Sequence, residues 1–137
     1  MAKTKILFLC VGNAARSQMA EGLANALLGE KVQAFSAGSR PAGRVSSRAI
    51  KVMKEIGIDI SGQRSKHLDE FQGQEFDYVI TLCETDGDAC PYFPARLKNL
   101  HLPFPDPAAM VGSREETLAG FRQVRDQIRQ SLFELFS

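Results

Sequence analysis

The sequence predicts an α/β fold with a doubly wound parallel sheet, and three observations carry that prediction. Short apolar runs alternate along the chain with segments of helical period, the strand–helix–strand order that builds parallel sheets. The first run, Lys5–Cys10, is apolar at consecutive positions, as a strand buried on both faces must be. Turn residues close the runs, as Gly12-Asn13 does after the first.

The elements follow in order. Ala15–Leu28 has helical spacing, with Met19, Leu23 and Leu27 on one face and Gly29 as the stop. Val32–Ser36 reads as a short second strand. Ser46 or Ser47 caps a helix that carries Ile50, Met53 and Ile56 and stops at Gly57. Phe76–Leu82 reads as the third strand and Leu97–Leu102 as a weaker fourth. Ser113-Arg114-Glu115-Glu116 has the form of a capping box. It opens a last helix with Leu118, Phe121, Val124, Ile128, Leu132 and Leu135 along one face, and Arg122–Arg129 is expected to be its solvated face. No repeat, low-complexity tract or linker divides the chain, so residues 1–137 are expected to form one domain.

Composition narrows the function. The 137 residues are 44% hydrophobic and 24% charged, enough to bury a core without disulfides or a structural metal. Lys and Arg number 17 against 16 Asp and Glu, so no bulk basic surface points to nucleic acid. The apolar run Ile6–Val11 is too short for a signal peptide or a membrane span, and the expected location is the cytoplasm. The three cysteines are Cys10, Cys83 and Cys90, an odd number that argues against a secreted disulfide framework. Such thiols are buried, metal-bound or catalytic. The cysteines lack a C-x2–4-C element, and His67 and His101 show no ligand spacing to them, so no metal site is expected. No dinucleotide fingerprint or Walker loop is present, and no cofactor is expected.

In open parallel sheets, ligands bind at the carboxyl ends of the strands. Cys10 ends the first strand, Cys83 follows the third, and Asp106 lies in a loop after the fourth. Cys10-Val11-Gly12-Asn13-Ala14-Ala15-Arg16-Ser17 joins a strand to a helix. A loop of this size can turn successive backbone N–H groups inward around a tetrahedral oxyanion, and the helix start adds its unpaired N–H groups and positive dipole end. Gly12 and Asn13 tolerate the backbone angles such a loop needs. Arg16 offers a planar fork for two oxyanion oxygens. The same field favours a thiolate at Cys10, and the Ser17 hydroxyl is placed to donate to its sulfur. A thiolate beneath a bound oxyanion is a nucleophile in contact with its target. The alternative is a buried core thiol beside a solvated arginine.

These residues, with Gln18-Met19-Ala20-Glu21-Gly22, Ser36-Ala37-Gly38, Thr81-Leu82-Cys83, Cys90-Pro91 and Asp106-Pro107, resemble the low-molecular-weight protein tyrosine phosphatase superfamily. Within it the chain looks like the thioredoxin-coupled arsenate reductases, over nearly its whole length. The resemblance implies a flavodoxin-like three-layer fold, with a four-stranded parallel sheet in the order 2-1-3-4 flanked by helices. It implies substrate binding by Val11, Gly12, Asn13, Ala14, Ala15 and Arg16, and catalysis by Cys10, Arg16, Ser17, Cys83, Cys90 and Asp106. Phosphatases of this superfamily grip the phosphotyrosine ring with aromatic residues after the Asp-Pro pair. Here Asp106-Pro107 is followed by Ala108-Ala109-Met110, and the two tyrosines, Tyr78 and Tyr92, lie elsewhere. Ala14-Ala15 also departs from the Ser-Cys pair of many relatives, with little loss expected because backbone groups carry the binding.

The activity so implied is reduction of arsenate, with phosphate or sulfate as analogues, by a relay of three thiols. Cys10 attacks arsenic, Cys83 attacks Cys10 as arsenite leaves, and Cys90 attacks Cys83. Thioredoxin is the implied electron donor, glutaredoxin with glutathione the less favoured one, and the chain is expected to be a monomer. Cys83 and Cys90 are seven positions apart, about 10 Å along a helix, whereas a disulfide needs Cα atoms within about 7 Å. The polar segment between them is therefore expected to change order with redox state. Two competitors stand: a phosphatase acting on phosphomonoesters, and a non-enzymatic oxyanion-binding or redox-sensing module.

Asp106 has two readings, as a proton donor or as a loop residue in an Asx-turn. Asn13, Glu21 and Ser36 match residues that hold potassium in some of the reductases, but Lys66 stands where the remaining ligand, an aspartate, would be. Lys66 is expected to act as an internal substitute for the ion, with a solvated lysine as the alternative. Arg40, Arg44 and Arg48 flank the site, either steering oxyanions or solvating a loop.

Overall fold

The structure, a computed structural model, describes residues 2–84 and 91–137. It contains β1 (Thr4–Cys10), α1 (Arg16–Leu27), β2 (Val32–Gly38), α2 (Ser47–Glu55), β3 (Tyr78–Thr81), β4 (Lys98–His101) and α3 (Arg114–Phe136). Two 3-10 turns, Leu68–Phe71 and Pro107–Ala109, complete the set. All strand pairs are parallel, and the order is β2-β1-β3-β4. No helix among the described residues is long and apolar enough to cross a membrane.

The apolar run of β1 feeds two cores, because successive side chains point to opposite faces. Ile6 and Phe8 join Met19 and Leu23 of α1, Val52 and Met53 of α2, and Leu118, Phe121 and Ile128 of α3. Leu7 and Leu9 join Phe71, Phe76, Val79 and Phe93. The layers are thus unequal. The three α-helices cover one face, and the 3-10 turn at Leu68–Phe71 and a set of phenylalanines cover the other. The rings meet edge to face, Phe71 and Phe76 at 5.5 Å and Phe76 and Phe93 at 5.8 Å.

The structure departs from the sequence reading at a few places. Strand β2 runs two residues further, to Gly38, because Gly38 pairs with Cys10. Strand β3 is shorter than Phe76–Leu82. The Asp77 carboxylate takes the Lys5 N–H at 2.9 Å and Arg96 Nε at 2.7 Å, so the start of the strand is held by a side chain. The Lys5 N–H, helped by Arg96, keeps that carboxyl below its ordinary range. Arg125 corrects the expectation of a solvated face. It is buried, donating to the Val52 carbonyl at 2.8 Å and to Glu55 at 3.2 Å, because it lies where α3 crosses the end of α2. Leu135 is exposed, and Phe136 packs on Tyr78 instead, with ring centroids 5.4 Å apart.

Candidate active site

The loop between β1 and α1 is shaped from outside. Its carbonyls are held by groups beyond it: Val11 O by the Arg40 N–H at 2.9 Å, Gly12 O by the Ala42 N–H at 2.9 Å, and Ala14 O by the Ser46 N–H at 2.8 Å. Ser65 Oγ also donates to Gly12 O, and Gln18 Nε2 donates to Asn13 O at 2.9 Å. In a trans peptide the N–H points opposite to the carbonyl. Carbonyls drawn outward therefore aim the N–H groups of Gly12, Asn13, Ala14 and Ala15 inward. The Asn13 N–H lies 3.3 Å from Cys10 Sγ.

Asn13 has φ of 48°, a left-handed conformation that asparagine tolerates. Its orientation is unambiguous: the Lys66 backbone N–H, which can only donate, reaches Oδ1 at 2.9 Å. Nδ2 therefore faces Ser17 Oγ, at 2.7 Å, and donates to it. The Ser17 hydroxyl also lies within bonding distance of Cys10 Sγ, at 2.9 Å, and either group can be the donor. A chain of hydrogen bonds thus runs from Asn13 through Ser17 to the sulfur, and Cys10, Asn13 and Ser17 are all buried.

Helix α1 starts at Arg16, with Ala15 as an N-cap that has no capping side-chain bond. The Arg16 guanidinium is buried, donating to the Phe104 carbonyl at 3.1 Å and lying 3.9 Å from Asp106 Oδ2. Asp106 makes the Asx-turn and also faces Arg16: one oxygen takes the Ala108 N–H at 3.0 Å, and the other lies toward the guanidinium. Cys10, Gly12, Asn13, Ala14, Ala15, Arg16, Asp106 and Ala108 line one cavity of about 170 Å³. Pockets for drug-sized ligands run to roughly 300–1,000 Å³. This one is small, and methyl groups of alanine form part of its wall.

Cys83 is buried, two residues beyond β3, and the Leu82 N–H bonds Leu9 O at 2.8 Å. It therefore lies at the same edge of the sheet as Cys10, on the neighbouring strand. Cys90, and with it the expected order change between the two cysteines, lies outside the described residues. Lys66 is nearly buried; Nζ donates to Arg64 O at 2.8 Å and stands 3.8 Å from Glu21 Oε1, which takes the Ser36 hydroxyl at 2.6 Å. Burial pushes Glu21 up and Lys66 down from their ordinary values, and each charge partly offsets the cost of the other. Arg40, Arg44 and Arg48 are exposed around the loop that ties the outward carbonyls. His67 caps a 3-10 turn and His101 bonds Thr81, and neither is among the residues that line the cavity.

Two positions entered the sequence reading only as parts of motifs, with no role given to either. Gln18 is fully buried and bonds both oxygens of Asn13. Gly38 is the other. A Cβ there would overlap the Val11 carbonyl oxygen and stand 3.0 Å from that of Cys10, and backbone cannot step aside cheaply. Gly38→Ala is expected to lower stability by about 1–3 kcal/mol. It should also abolish the rise in thermal midpoint expected of the unaltered chain in phosphate, as differential scanning fluorimetry would record.

Fold and site together set a buried cysteine, a loop of inward N–H groups and a buried arginine at the carboxyl edge of a flavodoxin-like parallel sheet. The chain belongs to the low molecular weight phosphotyrosine protein phosphatase family, whose profile matches residues 5–137. An arsenate reductase of Halalkalibacterium halodurans is 48% identical over 128 residues, 93% of this chain and 91% of that protein. Among solved structures, an arsenate reductase in the phosphate-binding state superposes with a TM-score of 0.81 at 34% identity, over 97% of this chain and 96% of that one. A thioredoxin-dependent arsenate reductase of Corynebacterium glutamicum gives 0.66 at 30% identity, over 96% of this chain and 61% of that one.

Proposed function

We propose that this protein is an arsenate reductase that uses Cys10, Cys83 and Cys90 in relay and is regenerated by thioredoxin. The observation that supports it is the small cavity where Cys10, the inward N–H groups and Arg16 meet, walled by Ala14, Ala15 and Ala108. It suits a bare tetrahedral oxyanion, and none of its described lining residues is an aromatic that could grip a phosphotyrosine ring. The relatives named above carry the same activity in their names.

The Cys10 thiolate attacks arsenic, a sulfur–arsenic bond forms, and water leaves with a proton that Asp106 is placed to supply. The Cys83 thiolate attacks the Cys10 sulfur; the sulfur–arsenic bond breaks, its electron pair stays on arsenic, and arsenite departs. The Cys90 thiolate then attacks Cys83, returning Cys10 as a thiolate. The dithiol of thioredoxin reduces the Cys83–Cys90 bond and is itself oxidised. The reading is of a single-domain, monomeric protein working in the reducing cytoplasm.

A coupled assay tests the whole reading. Arsenate, thioredoxin, thioredoxin reductase and NADPH should give arsenate-dependent NADPH consumption. None with thioredoxin, and none with glutaredoxin and glutathione, removes it.

Lys66 carries a separate expectation, as a built-in cation against Glu21. The thermal midpoint should be the same in potassium and sodium chloride at equal concentration; a large potassium-specific rise would count against it. Lys66→Met leaves a buried carboxylate that only Ser36 compensates, so Glu21 rises further above its ordinary value of 4.5 in the folded chain. A folded-state value above the unfolded one means stability present at low pH and lost as pH rises through that window. The midpoint deficit of Lys66→Met should therefore grow from pH 4 to neutrality, as melts across that range would show.

A further inference from the structure

We propose that Met110 is a positioning residue, seated on α3 in a notch at Gly120, that sets the turn carrying Asp106 over the cavity. Glycine is a poor choice inside a helix, because it has the most backbone freedom to lose and no side chain to pack. Gly120 nevertheless stands in the second turn of α3, and it is buried. A Cβ built on it would overlap Met110 Sδ, and would stand 2.8 Å from Cε and 3.7 Å from Cγ of the same residue. All three atoms belong to one side chain, so the space of the missing Cβ is the space that Met110 fills. Met110 is 46% exposed, and the thioether end of its side chain lies against the helix.

The seat acts on the site through a short bonded unit. Asp106 opens the 3-10 turn Pro107–Ala109 and Met110 closes it. The Ala109 N–H donates to Asp106 O at 3.1 Å, and the Met110 N–H to Pro107 O at 3.3 Å. Asp106 Oδ1 takes the Ala108 N–H, which leaves Oδ2 to face Arg16. Pro107 is buried at the start of the turn, and Met110 fixes its end. Beyond Met110, Val111 and Gly112 are exposed, and the next tie is the capping box at Ser113. Cys83 is disulfide-bonded in this structure, and none of these contacts involves it, so the seat is expected in the reduced chain as well. The inference rests on the reading above, in which Asp106 supplies a proton as the sulfur–arsenic bond forms. A reacting group misplaced by about 1 Å can cost as much as about a hundredfold in rate. The anion itself is held by Arg16 and the inward N–H groups, which do not touch Met110. Unseating the turn should therefore slow the chemistry and spare binding.

The test uses the full chain, reduced with dithiothreitol. NMR of the chain labelled in its methionine methyl groups should show a nuclear Overhauser contact from the Met110 methyl to the Gly120 Hα; no such contact overturns the proposal. In Gly120→Ala the thermal midpoint should be no lower than in the unaltered chain, since alanine suits a helix better. Exchange of the Ala108 amide proton, which reports its bond to Asp106, should nonetheless quicken about tenfold. In single turnover at saturating arsenate, the rate of thiol loss should fall about tenfold, with the half-saturating arsenate concentration within about twofold. Met110→Ala should do the same. Met110→Leu keeps an apolar chain that reaches the notch and should stay within about threefold of the unaltered rate. The double variant Gly120→Ala with Met110→Ala should be no more than about twofold slower than the slower single, because either change empties the same seat. Unchanged Ala108 exchange in Gly120→Ala overturns the proposal, as do a Met110→Leu chain as slow as Met110→Ala and a double variant whose two losses multiply. Should the unaltered chain lose no thiols to arsenate, the relay reading fails, while the methyl contact and the Ala108 exchange still decide whether Met110 seats the turn.

Discussion

Replacing Cys83 by serine should reduce arsenate-dependent NADPH consumption to background while leaving the anion site able to bind phosphate. A serine hydroxyl can occupy the space of the thiol, but it cannot form a disulfide, so the sulfur–arsenic adduct on Cys10 has no intramolecular thiol at this position to displace arsenite. The fold should survive, because Cys83 lies beyond the last paired residue of β3 and the change removes no carbon atom. A thermal midpoint within a few degrees of the unaltered chain checks that. The same variant separates the two enzymatic readings that family membership allows. A phosphatase needs the loop, Arg16 and an acid, none of which is Cys83, and so predicts undiminished multiple turnover on an aryl phosphate together with no arsenate reduction in the unaltered chain. Cys10→Ser is the complementary control. It removes the nucleophile in the cavity and should extinguish both activities.

Much of this site was legible because its logic is local. The strand run ending at Cys10, the glycine and asparagine after it and the arginine at the helix start are neighbours in sequence, and one loop brings them together. Asn13 has the left-handed backbone that its residue type suggested. The parallel sheet was legible for a related reason, since apolar runs alternating with helical segments build one, while its strand order came from the family resemblance. What stayed hidden is what holds the loop from outside. The groups that turn its carbonyls outward come from residues 40–46 and 65, distant in sequence and mostly acting through the backbone, which carries no residue-type signal. Gly38 was read as part of a motif, but its reason is a close approach of two backbone segments that only the register of β2 on β1 creates. Arg125 misled for the opposite reason. A charged residue on a helix reads as solvated, and its burial depends on how α3 crosses α2.

Arg16→Ala should lower kcat/KM for arsenate by about 10²–10³, the range for loss of one preorganised donor to a developing oxyanion. The buried guanidinium is the one cation among the residues that line the cavity. It is also a strut, since its other contacts fix the Phe104 carbonyl and face Asp106. Arg16→Lys separates the two roles. A lysine restores the charge but not the fork, so it should recover binding in part while leaving kcat low. Ligand-linked stability offers a readout that needs no turnover. A ligand present at a hundred times its Kd stabilises the folded chain by about 2.7 kcal/mol, so phosphate should raise the midpoint of the unaltered chain by several degrees. In Arg16→Ala that rise should shrink or vanish at the same phosphate concentration. Sulfate and arsenate should follow the same order, because the inward N–H groups and the guanidinium read tetrahedral oxygens and not the central atom. An undiminished phosphate shift in Arg16→Ala would mean that the backbone N–H groups and the start of α1 hold the anion alone. Arg16 would then be a strut for the Asp106 loop, and its loss would appear in kcat with KM untouched.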